Sequence, residues 1–403
     1  MSTLDELIAA ERAVHMQVYG RQPVAFVRGQ GCVLWDTAGQ EYLDFLGGIA
    51  VMSVGHSHPR VVEAVREQVG LLTHVSNLFY TEPQVRLAER LHDLLGWGKV
   101  FFANSGAEAN ECALKLARRW ARGTDDGARP GVVAALGSFH GRTFSTLAAT
   151  GQPGKHDRFT PLPSWFTHVP LNDADALREA VGPGTSAVLL EVVQGEGGVR
   201  VASEEFLKTA RAACDEFGAA LVFDEVQTGL GRTGTWFGFQ HAGVEPDIVT
   251  LAKALGAGLP IGACVAREEV AAAFGPGDHA TTFGGGPVVC SAALAVLDVI
   301  ESEGLVERSA ALGALLVERL REATASNPHV REVRGLGLLV AVELDGPWAA
   351  AAVSAALGRR LVVNNVTPTA VRLAPPLVVS EEQIERAVEI LAGVLADPEV
   401  RDG

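Results

Sequence analysis

Two side chains of opposite charge follow two short apolar runs in the middle of the chain. Asp224 comes directly after Leu221–Phe223, and Lys253 comes two residues after Ile248–Leu251. Short continuous apolar runs are typical of buried strands in a parallel sheet. Ligands of open α/β sheets bind outside the carboxyl ends of the strands. The pattern therefore predicts a carboxylate and an amine at one ligand site, beside the glycine-rich segment Gly256–Gly262.

A neighbouring carboxylate and lysine suit the cofactor pyridoxal phosphate. This cofactor binds a lysine through a Schiff base and needs an acidic partner for its pyridinium nitrogen. We therefore predict that Lys253 holds the cofactor and then moves the substrate proton, while Asp224 keeps the ring nitrogen protonated. Taken alone, the pair is a weak signal, because a strand-end aspartate is often a turn cap and a lysine is often solvated.

The segments around this pair alternate between strand and helix patterns. Further apolar runs at Val100–Ala103, Val132–Leu136 and Ala187–Val193 predict strands, and Glu204–Phe217 has helical periodicity. Such alternation predicts an α/β fold with a large, doubly wound and mainly parallel sheet. A chain of 403 residues also leaves room for a second, smaller domain.

The smaller domain is predicted to be α+β and to be built from both chain ends. Val24–Phe45 alternates like a small antiparallel meander, and residues 288–323 form a long helical stretch that is expected to bend once. We expect residues 1–56 to pack with the small domain, residues 57–287 to form the large cofactor-binding domain, and residues 288–403 to form the C-terminal small domain.

Composition excludes several classes of function. A net charge of −15 argues against a nucleic-acid partner, because phosphate binding needs a basic surface. The five cysteines form no C-x-x-C pair, so we expect reduced thiols in a cytoplasmic protein and no metal site. The acidic N-terminus does not resemble a signal peptide, and no apolar run is long enough to span a bilayer.

Two further segments have residue types that suit a cofactor. Ser105 and Glu108 fit a helix capping box. The same helix N-terminus can also bind a phosphate group, because Gly106 has no side chain to block it. In a second segment, Phe139 and His140 offer a flat face for a cofactor ring. Either motif alone is weak.

Several segments, in order and correctly spaced from about Tyr19 to Leu395, resemble the class-III pyridoxal-phosphate-dependent aminotransferases. The segments that carry the resemblance are LGGIAVMSVGHSHP, NSGAEANECALKLAR, SFHGRT, EVVQGEGGV, FDEVQTGLGRTG, TLAKALGAGLPIGA, TTFGGGP and NNVTPTAVRLAPPL. Within the family, the last segment is most similar to the acetylornithine aminotransferase subgroup. The resemblance implies the fold type I of pyridoxal-phosphate enzymes and a homodimer with active sites at the subunit interface.

The resemblance also implies roles for individual residues. Lys253 matches the Schiff-base lysine, Asp224 the pyridinium partner, and Gln227 a residue near the ring's phenolic oxygen. The other implied cofactor-binding positions are Ser105, Gly106 and Ala107 at the phosphate, Phe139 and His140 at the ring, and Thr282 at the phosphate of the other subunit.

Three charged residues match the family's substrate site. Arg142 and Arg372 match binders of substrate carboxylates, a role that suits the planar guanidinium fork. Glu196 matches a switch glutamate that neutralises Arg372 when the amine donor leaves that arginine without a carboxylate. Tyr19 and Thr281 are further expected substrate contacts. Each assignment has a competing interpretation. Arg372 could form a structural ion pair, and Glu196 could be a solvated charge on a loop.

The implied reaction is reversible transfer of the terminal amino group of N2-acetylornithine to 2-oxoglutarate, giving N-acetylglutamate 5-semialdehyde and glutamate. Ornithine, succinylornithine, 4-aminobutyrate and lysine-pathway aminotransferases share most of the motifs and remain alternatives. An aminomutase or a non-catalytic protein of the same fold is more remote. A nicotinamide dehydrogenase is disfavoured because no G-x-G-x-x-G opens a helix after the first strand.

Four positions depart from the family pattern. Met52 stands where asparagine is frequent, Thr281 replaces a serine, Gly286 replaces an asparagine, and Ala257 interrupts a glycine run. None of these departures changes the lysine, the aspartate or the arginines. They bear on substrate preference rather than on the chemistry.

Overall fold

The computed structural model describes residues 3–121 and 129–402. Within this part of the chain the strands are β1 (Phe26–Gln30), β2 (Val33–Asp36), β3 (Glu41–Asp44), β4 (Lys99–Ala103), β5 (Gly131–Ala135), β6 (Phe166–Val169), β7 (Thr185–Leu190), β8 (Val193–Gln194), β9 (Arg200–Val201), β10 (Ala220–Asp224), β11 (Ile248–Leu251), β12 (Gly262–Ala266), β13 (Val330–Leu336), β14 (Leu339–Leu344), β15 (Leu361–Val362), β16 (Asn364–Thr367) and β17 (Ala370–Leu373).

The α-helices of the described residues are α1 (Leu4–Val14), α2 (Gly47–Ala50), α3 (Pro59–Leu71), α4 (Glu82–Leu95), α5 (Gly106–Ala121), α6 (Phe144–Ala149), α7 (Ala174–Ala180), α8 (Glu204–Phe217), α9 (Glu268–Ala271), α10 (Pro287–Ser302), α11 (Leu305–Thr324), α12 (Ala349–Gly358), α13 (Glu381–Leu395) and α14 (Pro398–Asp402). None of them is long and apolar enough to cross a membrane.

A seven-stranded sheet forms the centre of the molecule and confirms the predicted fold class. Its strand order is β4-β12-β11-β10-β7-β5-β6. Every residue of β7 and of β10 is buried, which explains why these segments are continuously apolar instead of alternating. Strand β12 runs antiparallel to both of its neighbours, whereas the pairs β11–β10, β10–β7, β7–β5 and β5–β6 are parallel.

Helix ends are encoded locally in the sequence. Ser203 accepts a hydrogen bond from the backbone N–H of Phe206 at the start of α8, and Gly218 ends that helix in the left-handed conformation. The predicted long helix of residues 288–323 is two helices, α10 and α11. Gly304 separates them with a φ of 61°, which a residue with a side chain rarely adopts.

Two four-stranded sheets lie outside the central sheet, and one of them joins the two ends of the chain. The meander β1-β2-β3 is completed by β15, which pairs in parallel with β3. Hence the N-terminal strands and a C-terminal strand share one sheet. The second sheet has the order β13-β14-β17-β16 and packs with α11 and α12. The domain boundaries after residues 56 and 287 remain predictions.

Candidate active site

The central sheet brings Asp224 and Lys253 together at one edge. Asp224 is the last residue of β10 and lies opposite Thr250 of the parallel strand β11, so the chain reaches Lys253 just beyond the same edge. Lys253 has a φ of 40°, an unfavourable left-handed conformation that is typical of functional sites. Burial lowers the pKa of its ammonium group, and the facing carboxylate of Glu196 opposes that shift.

A cavity of about 460 Å³ opens at this edge of the sheet. Its walls contain most of the residues expected at the site, namely Ser105, Gly106, Ala107, Phe139, His140, Arg142, Glu196, Asp224, Gln227 and Lys253. These residues come from five separate segments of the sequence. The cavity therefore brings together the residues expected to attach the cofactor, to hold its ring and phosphate, and to bind a substrate carboxylate.

The carboxylate of Asp224 is held by a buried hydrogen-bond network. Asn110 Nδ2 donates to its Oδ2 atom over 2.7 Å, and His140 Nδ1 lies 2.8 Å from the same oxygen. Asn110 is fixed in turn by the hydroxyl of Thr250, which donates to Asn110 Oδ1 over 2.7 Å. The backbone N–H of Val226 donates to the other oxygen of Asp224. The carboxylate consequently has one defined orientation towards the cavity.

The start of α5 forms a cradle for an anion. The first N–H groups of a helix have no partner within the helix and favour a bound phosphate. At Gly106 a Cβ atom would lie only 2.8 Å from Val226 Cγ1, so glycine allows the close packing of this turn. The predicted capping box forms in part. Ser105 Oγ accepts from the Glu108 N–H, but the Glu108 carboxylate accepts from the Asn104 N–H instead of that of Ser105.

Glu191 is a functional-site residue that the motif analysis did not single out. Its carboxylate accepts hydrogen bonds from the backbone N–H of Phe139 (2.8 Å) and of Gly195 (3.2 Å). It therefore joins the expected ring-stacking segment to the turn that carries Glu196. Burial raises the pKa of Glu191 to about 7, and the negative charge of Asp224 adds to this effect while His140 opposes it.

Arg372 is completely buried and does not itself line the cavity, but it contacts the lining residues Glu196 and Gln227. Its Nη1 atom donates to Glu196 Oε1 (2.5 Å) and to Gln227 Oε1 (2.9 Å), and its Nε atom donates to Asn364 Oδ1. Its Nη2 atom is buried and has no hydrogen-bond partner among the described residues. An arginine with one free donor and one exchangeable carboxylate partner is suited to bind an incoming carboxylate.

Two basic side chains stabilise the carboxylate of Glu196. Burial alone would raise the pKa of its carboxyl group, but Arg372 and Lys253 outweigh that effect and hold the pKa below its usual value. Gln227 Nε2 lies 3.5 Å from Glu196 Oε1, so Gln227 contacts both members of the Arg372–Glu196 pair. This places Gln227 beside the switch pair as well as on the cavity wall.

Arg142 lines the outer part of the cavity, whereas the remaining expected site residues lie outside its lining. Arg142 is exposed at its mouth, with its guanidinium 5.5 Å from the centre of the Phe139 ring. Thr281, Thr282 and Tyr19 do not line the cavity of this chain. Thr281 Oγ1 accepts from Asn104 Nδ2, and Asn104 does line it. Tyr19, Thr281 and Thr282 therefore stay predictions, and the role of Thr282 depends on a second subunit.

Asn110 and Thr250 were also missed by motif reasoning. A usable signal was the helical spacing of α5, because Asn110 falls among the buried positions Ala109, Ala113 and Ala117. A polar residue on the buried face of a helix needs a hydrogen-bond partner, so its position predicts a buried polar contact. Thr250 carries no comparable signal, because a single threonine is ordinary in a strand.

Comparison with known proteins agrees with this geometry. The family model of class-III aminotransferases matches residues 16–395. The chain belongs to the class-III aminotransferases. The acetylornithine aminotransferase of Caldanaerobacter subterraneus subsp. tengcongensis is 48% identical over 97% of this chain and 99% of that protein. The acetylornithine aminotransferase of Streptomyces coelicolor is 50% identical over 97% of this chain and 96% of that protein.

Solved structures of this class have the same fold. The ornithine aminotransferase of Toxoplasma gondii superposes with a TM-score of 0.94 and 34% identity, over 99% of this chain and 96% of that one. The acetylornithine aminotransferase of Elizabethkingia anophelis superposes with a TM-score of 0.88 and 33% identity, over 98% and 99% of the two chains.

Class-III aminotransferases depend on pyridoxal phosphate, and the residues of this class-III enzyme fit that cofactor. Lys253 supplies the amine, Asp224 the carboxylate, and the turn at Ser105–Ala107 a cradle that a Cβ atom at Gly106 would crowd. His140 Nε2 is a buried ring atom with no partner among the described residues, next to the position expected for the cofactor ring. When bound, the cofactor withdraws electrons from the substrate carbon that carries the amine.

Proposed function

We propose that this enzyme transfers the terminal amino group of N2-acetylornithine to 2-oxoglutarate, as a step of arginine biosynthesis in the cytoplasm. The observation that carries the proposal is the Arg372–Glu196 pair beside Lys253, because it lets one site accept both a dicarboxylate and a terminal amine. The names of relatives that are 46–50% identical over nearly the whole chain support the choice of donor.

Lys253 moves the proton in this proposal. Because its pKa is lowered, more of the Lys253 side chain is present as the neutral amine. The neutral amine can take a proton from the substrate carbon. Asp224 stabilises the positive charge of the ring nitrogen, with its orientation set by Asn110 and His140. Asp224 is buried, so water competes little for its carboxylate.

Two arginines distinguish the two substrates. With the amine donor bound, Glu196 remains on Arg372, and the donor's single carboxylate is left to Arg142 at the mouth of the cavity. With 2-oxoglutarate bound, one carboxylate displaces Glu196 from Arg372, and the second is available to Arg142. The free Nη2 atom of Arg372 supports this exchange, because a guanidinium can grip a carboxylate through two parallel hydrogen bonds.

The donor is tested by adding single amines to the yellow holoenzyme. We would mix it with N2-acetylornithine, ornithine, N-succinylornithine and 4-aminobutyrate in turn and follow the loss of colour. Fast bleaching by N2-acetylornithine alone supports the proposal. Equal or faster bleaching by another amine moves the substrate to that compound. Ornithine is the competing candidate that structural likeness favours, because the Toxoplasma gondii enzyme of that name superposes with a TM-score of 0.94.

We also propose that the enzyme is a homodimer with shared active sites. An apolar patch that includes Leu71, Leu78, Phe79, Tyr80 and Phe283 is exposed, with 97% of Tyr80 accessible. An exposed patch of this kind is typical of a protein interface. Thr282, which is expected to contact the cofactor phosphate of the other subunit, directly precedes Phe283. A second copy that covers this patch would therefore lie close to Thr282.

Sedimentation of the wild type and of Phe79→Glu tests the dimer. A charge buried in the interface should dissociate it, and the cofactor should bind more weakly to the resulting monomer. Val201→Glu is a control at an exposed apolar position outside the patch. A wild-type monomer that keeps full activity would reject the shared site.

A further inference from the structure

Two arginines hold the turn that carries Glu196. The turn lies between β8 and β9 and contains Gly195, Glu196, Gly197 and Gly198. At one end, Arg372 Nη1 donates to Gly195 O over 3.3 Å. At the other end, Arg334 donates to Gly198 O twice, from Nε over 2.9 Å and from Nη2 over 2.6 Å.

The two arginines belong to one row of the C-terminal sheet. Arg334 on β13 lies opposite Ala341 on β14, and Ala341 lies opposite Arg372 on β17. Directly opposed residues of antiparallel strands point to the same face, and adjacent strands lie about 4.8 Å apart. Arg334 and Arg372 are thus two strand spacings apart on one face, with the small side chain of Ala341 between them.

Arg334 is itself held in a fixed position. Its Nη2 atom donates to Glu343 Oε2 over 2.5 Å, and only 11% of the Arg334 side chain is exposed. Burial alone would raise the pKa of Glu343, but hydrogen bonds from Thr369 and Arg334 lower it, so the carboxylate is ionised. The guanidinium is therefore paired on one side and bonded to the turn on the other.

The turn packs closely against Arg334 at Gly198. Gly198 has a φ of 103°, and a Cβ atom on it would lie 3.2 Å from Arg334 Nη2 and 3.5 Å from Thr367 Cγ2. At the opposite end of the turn, the Gly195 N–H is held by Glu191. When a substrate carboxylate takes Arg372, Arg334 still holds Gly198 O, Glu191 still holds the Gly195 N–H, and the paired strands β8 and β9 still flank the turn.

We propose that Arg334 is a positioning residue that keeps the Glu196 turn on the C-terminal sheet and thereby sets the selectivity between the two substrates. With the turn anchored, the Glu196 side chain can leave Arg372 and return to it while the backbone stays in place. Without the anchor, Glu196 would be out of reach more often, and Arg372 would face the terminal-amine donor with an unneutralised charge. This inference rests on the proposed function.

Separate half-reactions of Arg334→Met test the proposal. We would measure kcat/KM for N2-acetylornithine with the pyridoxal form and for 2-oxoglutarate with the pyridoxamine form. We expect kcat/KM for the amine to fall by about tenfold, mainly through KM, because hydrogen bonds from a charged group are lost. The value for 2-oxoglutarate should change by less than about threefold, since its carboxylate neutralises Arg372 itself. Equal losses in both half-reactions, or no change in either, would overturn the proposal.

Three further variants separate positioning from a general loss of structure. Arg331→Met is the matched control, because Arg331 lies on the same strand, is exposed, and donates to the carbonyl of Asp345 away from the turn. It should leave the ratio of the two half-reactions unchanged. Arg334→Lys keeps the charge and should restore part of the ratio. Gly198→Ala disturbs the same contact from the turn and should shift the ratio in the same direction.

The outcomes distinguish this inference from the proposed donor. If the wild type does not react with N2-acetylornithine, the proposed donor is wrong, and the ratio is measured with whichever terminal amine bleaches the wild type. If the wild type reacts but Arg334→Met keeps the wild-type ratio, the positioning role is wrong. If Arg334→Met does not fold, Arg334→Lys and Gly198→Ala decide the question by the same ratio.

Discussion

The guanidinium of Arg372 lies 2.5 Å from the carboxylate of Glu196, and the two side chains differ in burial. Arg372 is fully buried, whereas 27% of the Glu196 side chain is exposed. Arg372 also holds Gln227 and Asn364, so it is anchored on several sides. Glu196 is consequently the partner that can move, and Arg372 is the fixed receptor for a carboxylate.

Arg372→Ala should damage the 2-oxoglutarate half-reaction most. Removing one partner of a buried ionic contact should lower kcat/KM for 2-oxoglutarate by roughly a hundredfold. The terminal-amine half-reaction should suffer much less, because it does not use Arg372 as a receptor. Single-turnover absorbance of each half-reaction measures the two effects, with Arg319→Ala, at a partly exposed ion pair on α11, as the control. An equal loss in both halves would argue against the switch.

Lys253→Ala should abolish turnover and leave the fold intact. The amine that holds the cofactor and moves the proton is lost, so kcat should fall by at least about a thousandfold. Circular dichroism and thermal melting check the fold, and reduction with borohydride followed by mass spectrometry checks the attachment site. Lys208→Ala, at an exposed ion pair with Glu204, should behave like the wild type. Near-normal turnover of Lys253→Ala would reject the assignment.

Gly106→Ala should weaken cofactor binding. The added methyl group would press against Val226 at 2.8 Å and displace the turn that is expected to hold the phosphate. We expect the dissociation constant of pyridoxal phosphate to rise by about tenfold, since about 1.4 kcal/mol of contact energy is enough for that change. Fluorescence titration of the apoenzyme measures it. Gly182→Ala, where a Cβ atom meets open space, is the control.

Asn110→Ala should reduce both stability and activity. The substitution removes one of the buried donors to Asp224 and the acceptor of the Thr250 hydroxyl, which should cost about 1–3 kcal/mol in the free energy of unfolding. A less fixed Asp224 should also lower kcat and shift the pH profile of the cofactor's absorbance. Urea unfolding and a spectral pH titration report the two effects. An unchanged pH profile would show that Asn110 supports the fold and does not tune the site.

Glu191 should make stability depend on pH in the acidic to neutral range. Its pKa is about 7 in the folded enzyme, whereas a glutamate in an unfolded chain titrates near its ordinary value. Between those two values the folded state binds more protons, so the free energy of unfolding falls as pH rises and stops falling above about pH 7.

Glu191→Gln does not titrate and should lack this contribution. The unfolding free energy of the wild type minus that of the variant should therefore fall between about pH 5 and about pH 8, by no more than about 3 kcal/mol. Denaturant unfolding of both proteins across this range measures the difference. A constant difference would mean that Glu191 remains ionised throughout.

Local sequence determined the strand ends, the helix caps and the types of residue at the site. Apolar runs that stop at Asp224 and just before Lys253 predicted both groups at one edge, because the end of a buried strand is encoded by a few adjacent residues. The start of α5 was readable for the same reason. The family motifs supplied the two arginines and Glu196 by resemblance, without any distances.

Tertiary structure alone decided which of these groups touch. Strand β12 runs antiparallel, and an apolar run has no property that reports its direction. Arg372 meets Glu196 across 176 positions of sequence, and Asn110 meets Asp224 across 114. The alignment of Arg334 with Arg372 depends on the register of three strands. Such contacts arise from how distant elements pack, so short-range periodicity and spacing do not contain them.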